Sequence, residues 1–229
     1  MDRLRLDTER YAAGTLGAAA ATVAAPRRAA LGGFLRHLAH GERIAERVAR
    51  RQAAHAPDAR AASFLASQAR QESMHAVVFT TAATALGVPA GAIDDAPYAA
   101  YEAALHGALD DGDLVASVVG TQVVLEALGD ALLARLDRGL AAHGAGFVRL
   151  RRRIRAQEAA HHAFGHALVG TLVARGVTDG AVVAVHERAF RRHALALVDA
   201  AEPVLRQFAL APTVIAADLD ARLFAPGAA

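Results

Sequence analysis

The sequence predicts an all-α protein, an antiparallel four-helix bundle with additional N- and C-terminal helices. Three observations carry that expectation. Apolar residues make up 54% of the 229 positions and aromatic residues only 5%, so the core is aliphatic and rich in Ala, with short β-branched runs. Apolar side chains recur at helical spacing through long segments. The breaks between these segments fall on Pro, Gly and Asp clusters, which stop one helix and cap the next.

The length suits one domain, 1–229, with a bundle core at about 26–175 and extra helices at about 8–25, 98–109 and 181–224. The first core helix runs from Pro26, suited to a first turn, to His55. Ala56-Pro57-Asp58 breaks it, and Asp58 caps a second helix that reaches Leu86 and stops at Gly87. Val88–Pro97 reads as loop and Tyr98–Leu109 as a short helix. The cluster Asp110-Asp111-Gly112-Asp113 starts a third core helix that continues to Ala142. His143–Gly146 is the next turn, and a fourth helix spans Phe147–Arg175. Beyond Gly176–Gly180, a helix over Ala181–Leu210 is kinked or divided by Pro203, and a short one covers Val214–Phe224.

Composition excludes several classes. No cysteine is present, which rules out disulfides, iron–sulfur clusters, Cys-ligated zinc and a fused rubredoxin-type module. Every basic residue is arginine, and the net charge is only +2. The densest basic run, Arg151-Arg152-Arg153 with Arg155, reads as a solvated helix face, so no nucleic-acid partner is expected. The apolar stretch Ala12–Pro26 is too short to span a bilayer, and Asp7 and Glu9 interrupt a signal-like start. A cytoplasmic protein with no membrane association is expected.

Two Glu-x-x-His tetrads, Glu72-Ser-Met-His75 and Glu158-Ala-Ala-His161, each lie in a core helix. Residues three apart project from one helical face. A lone acid precedes each tetrad, Glu42 before the first and Glu126 before the second, giving Glu-x29-Glu-x2-His and Glu-x31-Glu-x2-His. Equal distances from a hairpin turn mean equal heights. The midpoint of Glu42 and Glu72 falls on Pro57, and that of Glu126 and Glu158 close to Gly144. The acids sit in apolar stripes: Leu35, Leu38 and Ala45; Leu65, Ala69, Ala76 and Phe79; Val119, Val123 and Leu133; Ile154, Gly165 and Leu168. Core-facing carboxylates need compensating positive charge, which two divalent ions supply. Glu46 and Asp130 are rivals, one turn beyond Glu42 and Glu126. His37, His40, His162 and His166 read as ordinary polar positions. Gln68 and Gln122, one turn before Glu72 and Glu126, either bond the carboxylates or pair among themselves.

The six residues Glu42, Glu72, His75, Glu126, Glu158 and His161 resemble the ligand pattern of the ferritin-like di-iron carboxylate superfamily, over about residues 30–175. Within that superfamily, His161-His162-Ala163-Phe164-Gly165 is similar to the ending of the second tetrad in aldehyde-deformylating oxygenases. The resemblance implies a ferritin-like bundle and two Fe ions, or a Mn/Fe or Mn/Mn pair. It also implies O2-dependent oxidation of a small or elongated apolar substrate, with ferroxidase or peroxide-scavenging chemistry as the alternative. Without cysteines, electrons come from an external ferredoxin or reductase, or from the substrate; a homodimer is compatible. Many relatives place Asp before the second tetrad, whereas this chain has Gln157 there and Gln71 before the first. Tyr11, Tyr98 and Tyr101 all lie outside the four ligand helices, which argues against a tyrosyl-radical role.

Overall fold

The computed structural model describes residues 24–89, 93–142 and 148–223. Among these residues every regular element is helical: α1 (Ala25–His55), α2 (Ala59–Ala85), α3 (Ala96–Asp110), α4 (Leu114–Val118), a π-helical segment (Val119–Leu125), α5 (Glu126–Ala142), α6 (Val148–Ala174), α7 (Gly180–Ala200), α8 (Glu202–Leu205), a 3-10 turn (Arg206–Phe208) and α9 (Pro212–Leu223). The all-α class therefore holds. The helix expected at 8–25 and the turn at His143–Gly146 lie outside the described residues, apart from positions 24 and 25.

The α1–α2 turn forms as its residues dictate. Pro57 cannot continue α1, and the Asp58 side chain accepts the Ala61 N–H, satisfying one of the unpaired amides that open α2. At the far end Gly87 takes φ +84, where a Cβ would be strained. Arg36 donates to Thr84 and Arg43 to Thr80, so partners step backward along α2 as they step forward along α1. The pair is an antiparallel hairpin.

α3 lies beside α1 in parallel, tied by Arg47–Glu102 at 2.7 Å and Arg51–Asp110 at 2.6 Å. It carries the chain back to the C-terminal end of α1. Asp113 caps α4 through the Ala116 N–H, and Gln52 of α1 donates to Ser117. From there 114–142 runs antiparallel to α1. α6 returns against it, with Arg151 on Asp137 and Arg155 near Asp130. Of the four long helical runs, two point each way.

The stretch Leu114–Arg138 is apolar and long enough to cross a membrane by composition, yet 83% of its most apolar window is buried inside the protein. It behaves as a core helix. Its π-helical segment departs from the single α-helix expected there. The widened turn frees carbonyls, and side chains from two other elements capture them. Tyr101 donates to Gly120 O at 2.7 Å, and His162 donates through Nδ1 to Gln122 O at 3.1 Å. Packing here is close: a Cβ on Gly165 would sit 2.5 Å from that of Gln122, and one on Gly120 would collide with Leu105 and Phe190.

The helix expected over 181–210 is interrupted at Ala201, two residues before Pro203, and resumes as α8. α9 is anchored by Arg135–Asp218, Arg222–Asp130 and Arg191–Asp220. Leu197, Val198, Ala201 and Leu205, from the α7–α8 region, are buried against the core.

Candidate metal centre

The two tetrads and both upstream acids converge in the interior. Glu42, Glu72, His75 and Glu158 offer atoms within 4.8 Å of one another, and so do Glu72, Glu126 and His161. Glu72 belongs to both groups. Its Oε2 lies 3.0 Å from His75 Nδ1 and its Oε1 lies 2.8 Å from His161 Nδ1. His75 Nδ1 is also 2.9 Å from Glu158 Oε1 and 3.4 Å from Glu42 Oε2. His161 Nδ1 is 3.8 Å from Glu126 Oε1. All six residues are buried.

The rivals fall away for a physical reason. Glu46 turns outward to Arg50, and Asp130 is taken by Arg222 and Arg155. Every apolar position expected to flank the ligands is buried, including Gly165, which lies against Gln122.

The orientation of each imidazole is fixed by the opposite tetrad. His75 Nε2 lies 3.0 Å from Gln157 Oε1, and His161 Nε2 lies 2.9 Å from Gln71 Oε1. An amide oxygen only accepts, so each Nε2 carries the proton and each Nδ1 presents a lone pair inward. Glu72 Oε1 and Oε2, Glu158 Oε1 and both Nδ1 atoms have no well-formed hydrogen bond despite complete burial. Buried polar atoms ordinarily find partners. Five unpaired electron-pair donors aimed at one another are the donor set a cation fits, with oxygen and imidazole ligands suited to Fe, Mn or Zn. These Glu and His groups are placed to bind metal ions.

Electrostatics show the same demand for positive charge. Burial and the neighbouring carboxylates push Glu42 and Glu126 well above the usual carboxylate range. Glu72 is held low: burial opposes ionisation, but His161 and His75 outweigh it. His75 is pushed well up, because Glu158, Glu42 and Glu72 together overcome its burial. Where protons are the only cations, they occupy these positions.

A buried amide chain backs the site. Gln68 donates to Glu126 Oε1 at 2.7 Å, Gln122 donates to Gln68 and Gln52, and Gln52 donates to Ser117. Gln68 therefore bonds a carboxylate, while Gln122 pairs among the glutamines.

No protein-family model matches the chain, and no curated protein or solved structure shows significant similarity to it. The geometry alone carries the reading.

On one side of the cluster lies an apolar cavity of about 50 Å³. Glu42, Glu126 and Glu158 form one wall; Phe34, Leu38 and Ala45 of α1, Leu128 and Gly129 of α5, and Leu197 and Leu205 line the rest. The small side chain of Ala45 and the absence of one at Gly129 border this space, whereas Ala76 and Ala127 are packed core. His37 also lines the cavity, and so does Tyr98, whose hydroxyl lies 2.8 Å from His37 Nδ1. Burial, with His40 nearby, lowers His37 to about 4, so it is neutral at pH 7; burial also raises the Tyr98 phenol. Sequence reasoning treated His37 as an ordinary polar residue and set Tyr98 apart because its helix holds no ligand. Their only signal was an imidazole five residues before Glu42, beside an apolar stripe.

Proposed function

We propose that this chain is a non-haem di-iron oxidase or oxygenase on a ferritin-like four-helix bundle, acting with O2 on a small apolar organic molecule. The observation that carries the reading is Glu72, shared by two ligand groups that each contain one histidine. The helix directions support it too: two antiparallel hairpins joined by a long crossover through α3 match the ferritin-like arrangement. Glu42, His75 and Glu158 would hold one ion, Glu126 and His161 the other, with Glu72 between them. Bound iron supplies electrons and open positions for oxygen.

The chain's own residues supply everything else. Gln71 and Gln157 hold the imidazoles in the tautomer that presents Nδ1. Gln68 fixes one oxygen of Glu126. Leu128, Leu197 and Leu205 give the cavity an apolar lining that favours apolar matter beside the carboxylates. His37 and Tyr98 are the hydrogen-bonding groups in the cavity besides the three carboxylates. Electrons arrive from an external donor, since the sequence carries no second redox group.

One observation favours a second reading. A cavity of about 50 Å³ is a third of the roughly 150 Å³ that accommodates benzene, so it fits a diatomic or a few waters. That size suits ferroxidase or peroxide chemistry, with Mn as an alternative metal. Anaerobic loading with ferrous iron followed by oxygen electrode measurement separates the readings. Consumption of O2 faster than by free iron, coupled to oxidation of a small hydrocarbon or alcohol, supports the oxygenase. Iron-only turnover, or rapid peroxide disproportionation by the Mn-loaded protein, supports the second reading, and inertness in all arms removes both.

A further inference from the structure

Several arginines on α1, α3, α5, α7 and α9 are matched with carboxylates: Arg47–Glu102, Arg51–Asp110, Arg135–Asp218, Arg191–Asp220 and Arg222–Asp130. On α6, Arg151 and Arg155 reach Asp137 and Asp130 of α5, but neither α2 nor α6 carries a surface acid of its own. The only acids within these two helices are Glu72 and Glu158, both buried in the metal centre. Arg60, Arg70, Arg149, Arg152 and Arg153 are all exposed, and none has a carboxylate partner among the described residues. Met74, 48% exposed, sits one turn from Arg70.

Between α2 and α6 this basic face is indented. A pocket of about 230 Å³ is bounded by Arg153, Phe64, Ser67, Gln71, Gln157 and His161. Gln71 and Gln157 are the residues that bond the Nε2 atoms of His161 and His75. A group docked at this mouth is therefore one amide and one imidazole away from the metal-facing nitrogens. The apolar cavity lies against the carboxylates, and no arginine is among its lining residues.

We infer that the α2–α6 face docks an acidic one-electron redox protein, with Arg70, Arg149, Arg152 and Arg153 as its cationic rim and Met74 as an apolar contact. The inference rests on the reading of the cluster as a redox-active metal centre. One electron leaves the reduced iron–sulfur group of the partner, which is oxidised by one unit, and reduces a metal ion by one unit; no bond forms or breaks at the interface. Charge complementarity sets the sign of the partner and speeds encounter at low salt. A second copy of this chain fits poorly, because a two-fold contact would set arginines against arginines. Nucleic acid finds charge here but little to stack on, since Phe64 is already stacked face to face on Phe164 at 3.9 Å.

The probe is an acidic plant-type [2Fe–2S] ferredoxin, titrated into the full chain with and without bound metal, at low and at physiological ionic strength. Binding should be measurable at low salt and weaken at least about tenfold at physiological ionic strength. The same loss is expected at low salt for R149Q/R152Q/R153Q, while the Arg→Lys triple retains binding and R188Q/R192Q, exposed arginines of α7, leaves it unchanged. Metal content and reduction by dithionite should stay at the level of the unmodified chain in all three variants, and only reduction by ferredoxin should slow in the Gln triple. Absence of binding, equal loss in R188Q/R192Q, or tighter binding of a short DNA duplex through the same arginines overturns the inference. Failure to bind metal refutes the functional reading instead, and the metal-free titration still reports on the surface.

Discussion

The two hairpins deliver the same ligands on differently built helices. α1 and α2 are uninterrupted α-helices joined by a short capped turn, and Glu42 stands in a regular stripe facing the cavity. In the second hairpin Glu126 follows immediately on seven π-helical residues, whose freed carbonyls are captured by Tyr101 and His162. Glu126 is also tethered by Gln68, a bond for which Glu42 has no counterpart. The first acid is thus placed by helix geometry alone, and the second by a local distortion plus polar partners. A regular helix needs only its sequence; a distorted one needs its neighbours.

Substitutions at the ligands separate shared from private roles and should have the largest effect. Glu72→Ala should abolish stoichiometric metal, because it removes a donor from both groups, while Glu42→Ala should leave the Glu126–His161 side able to bind. Elemental analysis of the purified variants, with circular dichroism to confirm retained helix, checks this; two metals per chain in Glu72→Ala would refute the assigned cluster.

Next in size is a pH effect that His37 contributes from the first hairpin. His37 is lowered to about 4 when folded, against an unfolded value near 6.5. The unfolded chain then binds more protons between these values, so stability should fall as pH drops from 6.5 towards 4, by up to about 3 kcal/mol. Denaturant midpoints should fall more steeply over that window in the unmodified protein than in His37→Gln. A slope unchanged by the substitution would show that His37 does not titrate in this way.

The crossed glutamines should behave as equals. Gln71→Ala and Gln157→Ala are each expected to weaken metal binding about 10- to 100-fold, the range for loss of a group that orients a histidine ligand. Competition with a coloured chelator measures both; a large asymmetry would mean that the hairpins are not equivalent at the ligands. The smallest contrast compares supports. Tyr101→Phe leaves Gly120 O buried without a donor and should destabilise by about 1–3 kcal/mol, whereas Asp58→Ala removes an exposed cap worth about 1 kcal/mol. Urea denaturation that ranks them the other way would mean the π-helical segment does not depend on its captors.

Much of this site is legible in the chain, because its ligands obey local rules. A Glu and a His three apart share a face whatever surrounds them, and the Pro57 turn sets the height of Glu42 against Glu72. The preference for Glu126 over Asp130 rested on the Val, Leu and Ala that flank Glu126, whereas the arginines that take Asp130, Arg222 and Arg155, come from other helices. The π-helical segment was not readable. Val119–Leu125 contains no helix breaker beyond one Gly, and its distortion depends on Tyr101 and His162, which come from other helices. Nor could the sequence say which histidine each glutamine holds, because that depends on how α2 and α6 are set side by side. Tyr98 reaches the cavity for the same reason: the crossover that carries it runs along α1, a fact of tertiary packing.

The reciprocal hold of each glutamine on the other tetrad's histidine has a consequence for assembly. Gln71 meets His161 and Gln157 meets His75 at one relative setting of α2 and α6. A slip of a single helical turn, about 5.4 Å, would disconnect both imidazoles at once. Neither hairpin can therefore mature its own ligands, and a half-docked chain presents two histidines free to turn the wrong nitrogen inward. Capture of metal would thus be a conjunction: it would follow only when both halves have met in register, and a misassembled protein would be left without a formed site.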